Sequence, residues 1–248
     1  MNTDLFSKQS DDYARFRPTY PEALFNALFA QVTDFECAWD CATGNGQAAF
    51  SLAKRFQRVV ATDLSVQQIQ NAKSHERIEY RCESCEKTSL PNQGVSLITI
   101  AQAAHWFRFD EFYREVNRVL KPGGVIALFG YHFSTSELPE VDRRIEALAK
   151  ETLGPYWKPQ NQILWNGYRE IHFPFQEIEF PKIELSVEMS LDALVGYISS
   201  WSATQLCREQ SGKDPIPPFR DELRTLWGDE RKTLRLSWEL VGRIGKRL

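Results

Sequence analysis

The sequence predicts an α/β protein doubly wound around a mostly parallel sheet, and three observations carry that expectation. Short apolar runs alternate with helical patterns, five strands within about 100 residues, which is the signature of such a sheet. A small-residue turn, Thr43-Gly44-Asn45-Gly46, separates the first of these runs from the first helical pattern. The second run closes on an acidic residue, Asp63. Crossovers of this length should be right-handed, because a twisted strand feeding a helix returns to the sheet only that way.

Taken in order, Pro21 suits the first turn of a helix whose apolar positions are Leu24, Phe25, Leu28 and Phe29. Phe35 to Trp39 reads as a strand ending at Asp40, and helical spacing follows at Ala49, Phe50, Leu52, Ala53 and Phe56. Arg58 to Thr62 reads as the second strand. Ser65 with Gln68 three residues on forms a capping box for the next helix. Ile78 to Arg81, Val95 to Ala101 and Val125 to Tyr131 supply three more strands, and Phe109 to Leu120 an amphipathic helix before Lys121-Pro122-Gly123-Gly124.

Beyond Phe133 the alternation stops. Leu138 to Leu153, Leu191 to Arg208 and Phe219 to Trp227 read as helices. Phe175 to Val187 reads as a long strand interrupted at Pro181, and Thr233 to Gly242 as a last strand. A strand, helices and a returning strand make a hairpin with a helical insertion, placed to cap the ligand edge of the sheet. The expected organisation is one domain over residues 1–248: an arm and helix (1–33), a cofactor-binding core (34–132), a cap (133–231) and a final strand (232–248).

Composition narrows the function. A net charge of −3 counts against tight general binding to nucleic acid. The polar start, Met1 to Asp12, is unlike a signal peptide, and no apolar run approaches a membrane span, so a cytoplasmic protein without membrane contact is expected. Five cysteines are too few and irregular for a disulfide framework. Cys37 and Cys41 on one strand would lie roughly 13 Å apart, too far to share an ion, and no second C-x-x-C joins Cys82 and Cys85. No metal is expected.

Three places carry chemistry. The turn at Gly44 and Gly46, opening a helix, lets backbone N–H groups approach a nucleotide-like ligand; the plainer reading is a tight βα turn. Asp63 lies 17 positions after Gly46, where a carboxylate can accept hydrogen bonds from a ribose diol, and with Ser65 capping the helix it is free to do so. Gln102-Ala103-Ala104-His105-Trp106-Phe107 forms a polar and aromatic patch at the C-terminal end of the fourth strand, the edge where ligands sit in open parallel sheets. At the N-terminus, Asp11 to Pro21 is aromatic and basic, and reads either as a segment that folds over a pocket or as a surface arm.

In this order, YARFRPTYP, DCATGNGQ, ATDLS, the Cys85-Glu86 pair before Leu90-Pro91, AQAAHWF and RVLKPGG resemble the class I S-adenosylmethionine-dependent methyltransferases. Within them the chain is similar to the small-molecule group of trans-aconitate-methyltransferase-like proteins, with FPFQEIEF and GYISSWSAT extending the likeness toward the C-terminus. The resemblance implies a Rossmann-like, seven-stranded sheet with an antiparallel last strand. It implies that Gly44, Gly46 and Gln47 line the methionine part of S-adenosylmethionine, that Asp63 holds the ribose with Leu64 beside the adenine, and that Cys85 and Glu86 border the adenine ring. Gln102 and Ala103 would support the methionine side, and Tyr13 and Arg17 would close over the cofactor, the arginine on its carboxylate. Trp106 and His105 would face the methyl group or a small-molecule acceptor. Departures are Gln47-Ala48 in place of a third glycine, Cys41-Ala42 in place of the commoner Gly-Cys, and Ser96 where Asp is usual.

The expected reaction is methyl transfer to a small molecule, with a carboxylate among the candidate acceptors and Arg143, Arg144, Arg169 and Arg208 as candidate cations to orient it. For a hydroxyl or amine, His105 is the nearby residue of suitable pKa, with positioning as its plainer role. Two other classes stay open: a nicotinamide-dependent oxidoreductase, which expects a third motif glycine, and a cofactor-binding protein without catalysis. Oligomeric state stays open as well.

Overall fold

A computed structural model describes residues 16–248 of the chain; Tyr13 lies outside them. Helix α1 (Glu22–Phe29) leads into strand β1 (Cys37–Cys41), helix α2 (Gln47–Ala53), strand β2 (Arg58–Asp63), helix α3 (Val66–Gln70) and strand β3 (Ile78–Cys82). Strand β4 (Val95–Ala101), helix α4 (Phe109–Val119) and strand β5 (Leu120–Tyr131) complete the parallel part, with β1 between β2 and β4, β3 outside β2, and β5 beside β4. The expected order of strands and helices is therefore present.

The C-terminal part is more finely divided than periodicity predicts. It runs as β6 (Thr135–Ser136), α5 (Pro139–Ala147), α6 (Asn161–Trp165), β7 (Gln176–Ile178), β8 (Glu184–Ser190), α7 (Leu191–Ser199), α8 (Ser202–Ser211), α9 (Ile216–Trp227) and β9 (Thr233–Lys246). The predicted helix over Leu191 to Arg208 is two helices. The Ser200 hydroxyl donates to the Tyr197 carbonyl and the Thr204 hydroxyl to the Ile198 carbonyl, and Trp201 turns to extended backbone between them. The last strand runs four residues further than predicted, to Lys246, and the fifth begins at Leu120 instead of Val125.

Strand β9 is antiparallel to β5, and its partners explain the sheet's far edge. Ser237 pairs with Thr135 and Ser186, and Gly245 with Ile126 and Glu177, so β5 and β6 flank one side of β9 and β7 and β8 the other. Strands β7 and β8 are the predicted strand over Phe175 to Val187, broken around Pro181, which has no N–H for a ladder. Counted as one interrupted edge, they give seven strand positions with the long antiparallel strand next to the edge.

Side-chain alternation along the strands builds two cores, one per face. Ala38, Leu97, Val125, Ala127 and Phe129 join helix α1 and the cap on one face, whereas Trp39, Ile98, Ile126 and Leu128 meet α4 on the other. Trp39 is fully buried and donates its indole N–H to Thr62 Oγ1 at 2.9 Å, which ties β1 to β2. Ser96, in place of the usual acid, donates to Asp34 Oδ2 at 2.7 Å, and Lys121 pairs with the same carboxylate. Among the described residues no helix is long and apolar enough to cross a membrane.

Candidate active site

The parallel strands end together at one edge, and the turns that leave them are held open. Ala42 after β1 and Gln102 after β4 both adopt left-handed backbone, with φ of 54° and 56°. For residues with a side chain such a conformation costs on the order of 1–2 kcal/mol, and it concentrates where a ligand must be approached. Asp40, buried at the end of β1, anchors this floor: Thr43 Oγ1 donates to it at 2.5 Å and Thr99 Oγ1 at 2.7 Å. Burial pushes its carboxyl up to about 6, against the pull of those hydroxyls.

Asp63 braces the next turn. Its Oδ2 accepts from the Gly44 N–H and its Oδ1 from the Ser65 N–H, each at 2.9 Å. The helix cap is Ser65, which accepts from the Gln68 N–H, as the capping box predicts. Asp63 is thus not idle: it fixes the glycine turn while burial raises its carboxyl and the neighbouring backbone N–H groups pull it back down.

Gly44, Asp63 and Gln102 all face one hollow of about 600 Å³. Leu64, Cys85, Glu86 and Ala103 line it too, and so do His105 and Trp106. Leu64 keeps 47% of its surface exposed there, an apolar side chain left uncovered on the wall. Glu86 is gripped by Arg108 through bonds of 2.9 and 2.6 Å, and that guanidinium holds its carboxyl below the usual range. Beneath the hollow the thiols of Cys41 and Cys85 meet; burial, then the bond to Cys85, pushes the Cys41 thiol up.

Not every predicted residue stands on this wall. Gly46 and Gln47 do not line the hollow. Gly46 is a glycine for another reason: at φ 87° a Cβ would lie 2.2 Å from the Tyr80 hydroxyl oxygen. Gln47 opens helix α2 just behind the turn.

A second, smaller chamber of about 80 Å³ adjoins the hollow, and Gln102, His105 and Trp106 belong to both. Its walls are aromatic: Phe133 lies 5.4 Å from Trp165 and 5.6 Å from Trp201, and Trp157 lies 5.3 Å from Trp165, between ring centroids. Arg17 stands here and not in the larger hollow. Its Nε donates to Ser200 Oγ at 3.1 Å, its Nη2 to the Ser200 carbonyl at 3.2 Å, and its guanidinium lies 5.2 Å from the Tyr197 ring centre. Burial lowers His105 to about 4, so its ring is neutral near pH 7.

The chamber escaped sequence reading because α6, the α7–α8 break and the segment after β5 each contribute to it. One signal was available: four of the seven tryptophans, Trp106, Trp157, Trp165 and Trp201, are chamber residues, three of them in the stretch read as a cap. Arg108, Phe109 and Lys158 on the larger hollow were likewise not anticipated. Among the described residues no group of three His, Cys, Asp or Glu side chains is placed to hold a metal.

The hollow suits an adenosyl sulfonium. It has the size of a ligand cleft, a carboxylate and an uncovered leucine on its wall, and left-handed backbone at its lining residues Ala42 and Gln102.

A family model described as a methyltransferase domain matches residues 39–128, the stretch from β1 to β5 that supplies most of this hollow's wall. A Dictyostelium discoideum protein whose name describes a methyltransferase is 33% identical over 235 residues, 92% of this chain and 89% of its own. A solved structure from Anaeromyxobacter dehalogenans, described as a type II methyltransferase, superposes with a TM-score of 0.85 at 38% identity, covering 93% of this chain and 98% of that one. A methyltransferase structure from Bacillus halodurans, 18% identical with a TM-score of 0.51 over 92% of this chain and 99% of its own, shares the fold. The chain belongs to the class I S-adenosylmethionine-dependent methyltransferase family, with S-adenosylmethionine as its cofactor. Of the three expectations left open by the sequence, membership selects methyl transfer over nicotinamide chemistry and over binding without catalysis.

Proposed function

We propose that the chain methylates a small organic acceptor held in the aromatic chamber, across the wall that Gln102, His105 and Trp106 share with the cofactor hollow. That shared wall is the observation that carries the reading. In this reading Asp63 accepts the ribose hydroxyls, Leu64 lies against the adenine, and Cys85 and Glu86 border its ring. Gly44 offers backbone to the methionine part, with Gln102 and Ala103 on its other side. Gly46 and Gln47 support that turn from behind, and Arg17 closes the chamber from the N-terminal side.

S-adenosylmethionine bound there supplies a methyl carbon already activated by positive sulfur. What this chain's residues add is alignment and exclusion of water, and good alignment is worth up to roughly 7–11 kcal/mol. Trp106 bounds both spaces and keeps the acceptor in line, while His105, neutral and buried, positions it by hydrogen bonding. Aromatic faces also favour a positive sulfur, by about 0.5–2 kcal/mol.

Enclosure in 80 Å³ supports a small acceptor over a polymer. Resemblance to trans-aconitate-methyltransferase-like proteins in the order of motifs makes a carboxylate the second reading. Among the described residues, Arg17 is the arginine or lysine that lines the chamber. Arg143, Arg144 and Arg208 pair with Glu140, Glu222 and Asp214, and neither they nor Arg169 line the chamber. The test is incubation with methyl-labelled S-adenosylmethionine and separate pools of phenols, amines, organic acids, tRNA and protein. Label entering a small-molecule pool is expected; label confined to tRNA or protein would overturn the reading.

A further inference from the structure

The polar atoms of the chamber narrow the chemistry of its occupant. Gln102 Oε1, His105 Nδ1 and Asn161 Oδ1 belong to residues on its walls, are buried, and have no hydrogen-bond partner among the described residues. The Gln102 amide is fixed in direction, because its Nε2 donates to the Tyr131 carbonyl at 2.9 Å and leaves the oxygen as the unsatisfied end. Buried polar atoms without partners are costly, and since two of these are amide oxygens and a neutral imidazole accepts at one of its nitrogens, their place on the walls of one small space marks where an occupant supplies donors.

Charge points the same way. Among the described residues no aspartate or glutamate lines the chamber, which gives a cation no counter-ion. Arg17 is already engaged with Ser200 and lies beside Tyr197, so an anion would have to displace those bonds. Burial lowers both His105 and His132, keeping both rings neutral near pH 7. The tryptophan walls favour a flat, apolar body, and 80 Å³ has room for on the order of half a dozen non-hydrogen atoms at ~10–15 Å³ each.

We propose, resting on the chamber as the acceptor site, that the acceptor is a small, flat, neutral ring bearing an O–H or N–H group, held by Gln102, His105 and Asn161 and methylated at that oxygen or nitrogen. Such an acceptor loses one proton, to His105 or water, as its heteroatom gains the methyl group, and the sulfur keeps the electron pair of the bond that breaks. A phenol or an azole has this chemistry. A carboxylate lacks the donor, and a hydrocarbon offers the acceptors nothing.

The experiment titrates the full chain, isotopically labelled and saturated with S-adenosylhomocysteine, with phenol, toluene and benzoate while following the tryptophan indole N–H resonances. Phenol is expected to bind about tenfold more tightly than either of the others, the scale of one net hydrogen bond. In Asn161→Leu the phenol advantage over toluene should shrink by several-fold, with the affinity for S-adenosylhomocysteine unchanged. Equal binding of phenol and toluene, or tighter binding of benzoate, overturns the proposal and leaves methyl transfer standing. Failure of S-adenosylhomocysteine itself to bind overturns the underlying reading and this proposal with it.

Discussion

At Asp63 both carboxylate oxygens hold backbone N–H groups, of Gly44 and Ser65, so one side chain shapes the turn and faces the hollow. Each oxygen keeps a lone pair for a ribose hydroxyl. Asp63→Ala is expected to weaken S-adenosylhomocysteine binding by about 2–4 kcal/mol, the scale for truncating one partner of a buried charged contact. An unchanged calorimetric isotherm would remove Asp63 from the site. His105 makes a pH prediction. Its folded value of about 4 is below the ordinary 6.5, so the unfolded chain takes up the proton first as pH falls. The stability it contributes is present above 6.5 and lost as pH falls through about 4, amounting to about 3 kcal/mol. Asp40, raised to about 6, acts with the opposite sign over a similar range, losing stability as pH rises from 3.8. The comparison that isolates the histidine is therefore wild type against His105→Asn by urea unfolding at pH 4 and pH 7. Wild type should gain on the variant as pH rises; a constant difference would mean that the imidazole is not buried neutral. Gly46 shows where reading residues one at a time misleads: the turn spacing demands a glycine, but the ring that crowds it, Tyr80, comes from a strand over 30 positions away.

At the scale of elements, the arm and the cap meet on helix α7. A Cβ at Gly196 would stand 2.7 Å from the Phe16 ring, so the missing side chain is what lets Phe16 seat there and carries Arg17 to Ser200 one turn further on. Gly196→Val is expected to expel Phe16, break the Arg17–Ser200 bonds and weaken phenol binding at least about tenfold, as loss of a positioned wall with its hydrogen bonds implies. Cofactor affinity should stay near wild type. Phenol binding that survives unchanged would show that the arm plays no part in the chamber. The elements themselves were legible to different degrees. Strands β1, β2, β4 and β5 were legible because burial on both faces writes a short, mostly apolar run. The break between α7 and α8 was not: the apolar spacing continues across Ser200 and Trp201, and only side-chain bonds to the Tyr197 and Ile198 carbonyls mark the turn. The start of β5 was hidden by Lys121-Pro122-Gly123-Gly124, where the Gly123 N–H donates to the Arg247 carbonyl and the Arg247 N–H to Gly124, so the C-terminus keeps the strand paired.

For the molecule as a whole, the cofactor side follows from local spacing, since each of its turns directly succeeds its own strand. Gly44, Asp63 and Gln102 are three strand ends, and parallel pairing brings such ends to one edge without any long-range coincidence. The proposed acceptor side depends on how separate cap segments settle over that edge: Trp157, Asn161 and Trp165 recur every four residues, but nothing in that spacing announces their meeting with Trp201. The division into a large hollow and a small aromatic chamber, with Gln102, His105 and Trp106 between them, is the centre of the account. A crystal structure of the full chain with S-adenosylhomocysteine tests it most directly. The ribose should lie on Asp63, the adenine against Leu64, and the sulfur at the Gln102–His105–Trp106 wall facing the chamber. A ligand whose sulfur points away from that wall, or whose ribose lies out of reach of Asp63, would contradict it.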